Sequence, residues 1–235
     1  MNDIVTLPVA DHLRPSNYTA ALVQLMQQRQ SWVRGARVLD VGCGSGVLLA
    51  VAGAAGAQSL TGVDVEPAAV AATTALMDQL GYAKICDIQR GAMFGPIAGQ
   101  KFDLVLANLP HFPMDSAAID GRLASWSAGG PDGRRLLNQF LDGLAPHLAP
   151  GGRALVMHNA FVGLEVTQQM AHHHGLTVEV AESSLVYLPE AKLAVMSPDV
   201  LQRESGCSIH QYGDYAFGTV AVLTITADVL SGDLA

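Results

Sequence analysis

The sequence predicts a single α/β domain, 1–235, built on a mostly parallel sheet with helices on both faces and an antiparallel C-terminal edge. Three observations carry that expectation. From about residue 37, short apolar runs alternate with longer helical periods, as they do when crossover helices link parallel strands. One of those runs ends in a glycine turn that opens an apolar helix. Two further β-rich stretches close the chain.

Residues 1–36 read as a strand-poor lead-in with one helix, Thr19 to Trp32. A core of 37–160 follows, with strands expected at Arg37 to Val41, Leu60 to Asp64, Ala83 to Gln89, Phe102 to Ala107 and Ala154 to His158. Helices are expected at Gly46 to Ala55, Pro67 to Leu80, Asp132 to Leu148 and Leu164 to His174. In the third of these, Leu136, Leu137, Phe140, Leu141, Leu144 and Leu148 recur at helical spacing and give one apolar face. Asp132 can cap its start, and Ala149-Pro150-Gly151-Gly152 supplies a break into the next strand. Residues 161–235 hold the β-rich stretches Leu176 to Leu188 and Thr219 to Ala227. The polar segment between them, Ser197 to Gly218 with Cys207, His210, Tyr212 and Tyr215, is a candidate substrate lid or an ordinary surface loop.

Composition narrows the function classes. Half the residues are hydrophobic and only 14% are charged, which suits a sheet buried under helices. The net charge is −8, and the 13 Lys and Arg are scattered, so polyanion binding and a nucleic-acid substrate are disfavoured. No apolar run reaches the roughly 18 residues needed to cross a bilayer, and no signal peptide is legible, so a cytoplasmic location is expected. Cys43, Cys86 and Cys207 are odd in number and widely spaced, which indicates free thiols and neither a disulfide framework nor a metal site. His172-His173-His174 reads as a solvated helix end, because adjacent helical side chains point about 100° apart and cannot share one ion. Met114, Met157, Met170 and Met196 read as core or rim filler.

The strongest chemical signal is Val38-Leu39-Asp40-Val41-Gly42-Cys43-Gly44-Ser45-Gly46, an apolar strand running into a glycine turn. Glycine removes Cβ where the backbone bends sharply and approaches a ligand closely. By itself GxGxG is also compatible with a tight turn that binds nothing. Its context adds Asp40 at its head and Asp64 at the end of the next strand, eighteen residues after Gly46, where a carboxylate can accept from ribose hydroxyls. A dinucleotide enzyme favours GxGxxG, whereas GxGxG headed by Asp suits a cationic cofactor. Cys43 is read as lending its backbone to the pocket and not as a nucleophile.

The second signal is Phe102 to Pro113, FDLVLANLPHFP, an apolar strand ending in Asn108 with Pro110 and His111 just beyond it. Polar groups there stand at the carboxyl edge of the sheet, where α/β proteins bind ligands. Asn-x-Pro is also a common turn, and His111 is also readable as an ordinary loop histidine.

DVGCGSG followed by VDVEP resembles the first two motifs of the class I S-adenosylmethionine-dependent methyltransferases, over roughly residues 35 to 160. FDLVLANLPHFP is similar to the FDLIVSNPPYIP segment of members that methylate an amino or amide nitrogen, with Leu109 in place of Pro and His111 in place of Tyr. Gly91 to Ile97 resembles the GDLFxPL stretch, Ala92 standing where Asp is usual, and Gly129 to Gly133 resembles a GGxDG turn. Arg14 to Thr19 is a looser echo of PRPET. Together these resemble the release-factor glutamine N-methyltransferase (HemK-like) family.

The resemblance implies a Rossmann-like class I methyltransferase fold, the cofactor S-adenosyl-L-methionine, and N-methylation. Its cofactor residues are Asp40, Gly42, Cys43, Gly44, Gly46, Asp64, Val65, Ala92, Met93 and Asn108; its catalytic residues are Asn108, Pro110 and His111. No metal is implied. Asn108 and the Pro110 carbonyl would each accept one N–H of an amide acceptor, and His111 would stack on a planar acceptor or collect the released proton. The acceptor is a protein side chain or a small planar metabolite. The metabolite stays open because that family carries a helical N-terminal docking domain and about 35 residues precede the glycine motif here. A methyltransferase-like scaffold subunit without catalysis, a small-molecule O-methyltransferase and a nicotinamide oxidoreductase are the competing readings.

Overall fold

The computed structural model describes residues 14–114 and 127–228. Five parallel strands form its centre: β1 (Arg37–Val41), β2 (Ser59–Asp64), β3 (Cys86–Arg90), β4 (Phe102–Ala107) and β5 (Leu148–Asn159). The sheet continues with β6 (Leu176–Leu188), β7 (Ile209–Tyr212) and β8 (Tyr215–Ala227), and its order is β3-β2-β1-β4-β5-β8-β6 with β7 on β8. Strand order reverses between β1 and β4, which pair through Val41 and Ala107. The carboxyl ends of those two strands flank the crevice where such sheets bind ligands.

The antiparallel edge predicted from the sequence is present, but the last strand lies inside it. β8 pairs antiparallel with both β5 and β6. Helices α1 (Asn17–Gln28), α2 (Val47–Ala54) and α3 (Pro67–Gln79) are followed by α4 (Arg135–Leu144), α5 (Leu164–His173), α6 (Glu190–Leu193) and α7 (Pro198–Glu204). Two apolar clusters form the core. One joins Leu22, Leu25 and Met26 of α1 and Leu48 and Leu49 of α2 to the sheet; the other centres on Phe140, Leu141 and Phe161. The apolar stripe on α4 is therefore its buried face, and truncating fully buried Phe140 to Ala would cost about 3–5 kcal/mol.

Several boundaries differ from expectation. Ala83–Ile85 is a 3₁₀ turn, so β3 starts at Cys86. Helix α4 is shorter than Asp132 to Leu148: Asp132 Oδ1 accepts from the Arg134 N–H at 2.9 Å in a turn before the helix, and Pro146 falls in a closing 3₁₀ turn. Ala149 to Gly152 belongs to β5, as an irregular stretch opposite β4. Within Ser197 to Gly218 the chain forms α7 and the β7–β8 hairpin. Met114, Met157 and Met196 are buried, and Met170 packs at the rim.

Candidate functional site

Strand β1 runs into the glycine turn because Val38, Leu39 and Val41 are buried and Gly42, Gly44 and Gly46 take positive φ of 76°, 53° and 78°. Side chains rarely adopt that conformation, and space forbids one at Gly46, where a Cβ would meet Thr73 Cγ2 at 2.8 Å and Thr73 Cα at 3.1 Å. The turn is anchored to Asp64: its Oδ2 accepts from the Gly44 N–H at 2.9 Å and its Oδ1 from the Glu66 N–H at 2.9 Å. The backbone thus bends around a fixed carboxylate.

Asp40 is the opposite case. It is 1% exposed, neither carboxylate oxygen has a hydrogen-bond partner among the described residues, and burial, then the charge of Asp64, pushes its carboxyl up to about 8. A buried lone carboxylate calls for a cation. Cys43, between them, has its side chain buried against Thr73, whose hydroxyl lies 3.6 Å from Sγ, and burial raises the thiol. It has no thiolate character.

These residues open into a cavity of about 520 Å³ that runs past Val65, Gly91, Ala92 and Met93 to Asn108, Pro110 and His111. Every cofactor and catalytic residue read from the sequence lines it apart from Gly46, which shapes the turn from behind. Met93 adopts a positive φ of 50°. No residue of Ser197 to Gly218 lines the cavity; Val186, Tyr187 and Lys192 do.

At the far end, Asn108 follows β4 directly, and its Nδ2 donates to the Thr19 hydroxyl at 3.2 Å. Thr19 sits in the first turn of α1 and also accepts from the Ser16 N–H at 3.3 Å. Pinning Nδ2 leaves Asn108 Oδ1 as a hydrogen-bond acceptor. The His111 ring is buried and its Nδ1 bonds to the Leu109 carbonyl. A carbonyl can only accept, so Nδ1 carries the proton and Nε2, which has no partner, presents a lone pair. Burial lowers the His111 pKa and keeps the ring neutral. Tyr18 meets it edge-on with centroids 6.0 Å apart.

The GGxDG turn holds this end from outside. A Cβ on Gly129 would stand 2.7 Å from His111 Cα, and one on Gly133 2.7 Å from the His111 carbonyl oxygen. Arg134, just after the turn, donates from Nη1 to the Val162 and Gly163 carbonyls and to Thr167 Oγ1, which bonds in turn with His158 Nε2 at 2.9 Å. Burial, then His111 and Arg134, lowers the His158 pKa to about 3. In the 172–174 run, His172 faces Asp228 at 4.0 Å and His174 faces Asp142 at 3.0 Å, in separate directions.

Among the lining residues that had no place in the site read from the sequence are Tyr18, Asn159 and Lys192. The PRPET-like echo passes through Tyr18 but assigns it nothing. Asn159 repeats the signal that exposed Asn108, an apolar strand ending in Asn at the carboxyl edge, one strand further on. Lys192 carries no local signal.

Sheet order, glycine turn and crevice define the fold as that of the class I methyltransferases. Residues 18–114 match the family described as ribosomal protein L11 methyltransferase (PrmA). The chain is 34% identical over 166 residues to a release factor glutamine methyltransferase of Gloeobacter violaceus, an alignment covering 68% of this chain and 58% of that one. It is 29% identical over 168 residues to a provisionally named protein N5-glutamine methyltransferase of Methanocaldococcus jannaschii, covering 70% and 82%. In structure it is similar to the Encephalitozoon cuniculi Mtq2–Trm112 complex that methylates the translation termination factor eRF1, at TM-score 0.56 and 13% identity over 92% of this chain and 98% of that one. The chain therefore has the fold of the class I S-adenosylmethionine-dependent methyltransferases and is similar to them in sequence, and it spans 58% of the first of these relatives. The residues present fit such a cofactor: Asp40, unpartnered among the described residues, is placed for a positive group, and the backbone of Gly42 and Gly44 lines the cavity.

Proposed function

We propose that this protein methylates the side-chain amide nitrogen of a glutamine in a protein, with a translation release factor as the acceptor. The observation that carries the reading is the Asn108–Thr19 bond, which turns the Asn108 amide so that Oδ1 is the atom left to meet an N–H. The names of the relatives from G. violaceus and M. jannaschii support the glutamine.

S-adenosylmethionine supplies an electrophilic methyl on a sulfonium, so the protein needs no strong base at the start. Its residues align the acceptor nitrogen and exclude water. Asn108 Oδ1 accepts one N–H and the Pro110 carbonyl the other as the nitrogen turns out of conjugation, which directs its lone pair at the methyl and stabilises the positive charge that develops. The proton lost from the methylated nitrogen passes to neutral His111 Nε2. Asp40 would face the cationic part of the cofactor, Asp64 the ribose, and Val65, Ala92 and Met93, which line the same cavity, the base.

The test is Asn108→Ala. Methyl transfer to purified release factor is expected to fall at least about 10³-fold while calorimetry finds cofactor affinity within about twofold. Near-normal turnover would refute the assignment. Labelled cofactor incubated with cell extract, then separated into protein, nucleic-acid and small-molecule fractions, should label protein; label in the other fractions would overturn the acceptor class.

A further inference from the structure

We propose that Tyr18 and Asn159 form a pair that reads the carboxamide group of the acceptor, the Tyr18 hydroxyl donating to its carbonyl oxygen and Asn159 Oδ1 accepting its syn N–H. This rests on the glutamine reading above and gives that site its specificity for amide over carboxylate.

The two asparagines at the acceptor end are held alike. Asn108 leaves β4 and Asn159 closes β5, and because Ala107 pairs with Val156, Asn159 stands three residues past that register, beside the Asn108 loop. Consecutive residues of α1 meet them: Thr19 accepts from Asn108 Nδ2, and the Tyr18 hydroxyl lies within reach of the Asn159 side chain, both lining the cavity. Asn159 is 2% exposed and its Oδ1 has no partner among the described residues, which leaves Nδ2 as the atom to face the Tyr18 oxygen. Each asparagine thus has its donor pinned by α1 and its acceptor free in the same cavity.

Leaving a buried carbonyl oxygen without a partner costs about 1–3 kcal/mol, a cost that disappears when an N–H arrives. The Tyr18 oxygen, already accepting from Asn159, keeps its O–H to give. Burial pushes the phenol up to about 12, so the donor persists at any working pH. One donor and one acceptor side by side match the carbonyl and syn N–H of a primary amide. A carboxylate would set an oxygen against Asn159 Oδ1, and a protonated amine has no acceptor to offer Tyr18.

The pairing also divides the work between binding and chemistry. In the planar, docked amide, Asn159 Oδ1 holds the syn N–H and Asn108 Oδ1 the anti N–H. As the nitrogen pyramidalises, the syn N–H turns from Asn159 to the Pro110 carbonyl. Asn159 therefore acts on the ground state, and its loss raises KM more than it lowers kcat.

The experiment compares wild type, Tyr18→Phe and Asn159→Leu with purified release factor as acceptor. Expected are a rise in KM for release factor of about 10–100-fold, kcat within about threefold, and cofactor affinity by calorimetry within about twofold. Release-factor binding to the S-adenosylhomocysteine complex, measured without turnover, should weaken by the same factor. Unchanged KM in both variants, or a fall in kcat alone, overturns the pair. Tyr18→Phe keeps the ring and its packing, so it carries the test if Asn159→Leu fails to fold. Should wild type leave release factor unmethylated, the parent reading fails separately. Blocked glutamine and glutamate peptides then compete for the S-adenosylhomocysteine complex: a glutamine preference lost in Tyr18→Phe supports the pair, and no preference in wild type overturns it.

Discussion

Asp40 and Asp64 flank one glycine turn and stand in opposite states: Asp64 holds two backbone N–H groups, and Asp40 holds nothing. The difference follows from position. Asp64 ends its strand, where turning backbone supplies donors, whereas Asp40 lies within β1, where the backbone N–H groups are spent on the sheet.

That contrast sets a pH dependence for cofactor binding. Burial raises the Asp40 carboxyl to about 8, so near neutrality it must lose a proton before it can meet a cation. Affinity for S-adenosylmethionine should weaken by up to about tenfold per unit as pH falls below 8, and calorimetry near pH 7 should detect proton release. Because the folded pKa lies above the unfolded value, the cofactor-free protein should also lose stability as pH rises from about 4 to 8. Asp40→Asn should bind weakly and show neither trend. A pH-independent affinity in wild type would remove Asp40 from the cofactor site.

Thr19 is expected to matter to turnover though it never touches the reacting atoms. Thr19→Val deletes the acceptor for Asn108 Nδ2 and frees the amide to flip. Turnover should fall about 10-fold or more with cofactor affinity unchanged, and Thr19→Ser should restore most of it. Equal loss in both variants would indicate a packing defect at the start of α1.

Gly46→Ala tests the turn itself. The new methyl faces a positive φ and lies 3.1 Å from Thr73 Cα, which cannot swing away. Urea denaturation should find a loss of about 2 kcal/mol or more. Gly175→Ala, with a positive φ of 69° but open space around it, should lose less.

His158 should make the fold acid-sensitive. Its folded pKa, near 3, lies below the unfolded value, so the unfolded chain alone takes up this proton as pH drops below about 6.5. Relative to His158→Gln, wild type should lose up to about 2 kcal/mol between pH 7 and pH 5, measured as a shift in urea midpoint. A constant difference across that range would mean the imidazole protonates within the fold.

The parts of this molecule legible in its sequence are those that local chemistry decides. Strand β1, the glycine turn and α2 are contiguous, and each glycine of the turn takes a positive φ. Asn108 was visible because an apolar strand delivers it to the sheet edge. Asn159 obeys the same rule, but its partner Tyr18 lies far away in sequence, and only the folded sheet joins them. Apolar periodicity continues through Leu148, whereas the turn at Asp132 and Pro146 confine helix α4 to a shorter span. That β8 would lie between β5 and β6 could not be read, since strand order depends on long-range pairing and not on composition.

The position of β8 orders events during synthesis. Strand β5 emerges from the ribosome well before the neighbour on its outer side, and β6, when it appears, has no strand beside it until β8 threads between the two. Until then the nascent sheet presents unsatisfied peptide groups along an apolar strand, the template on which foreign chains assemble. Yield in a heterologous host should accordingly depend on chaperone supply and on translation speed across residues 176–227.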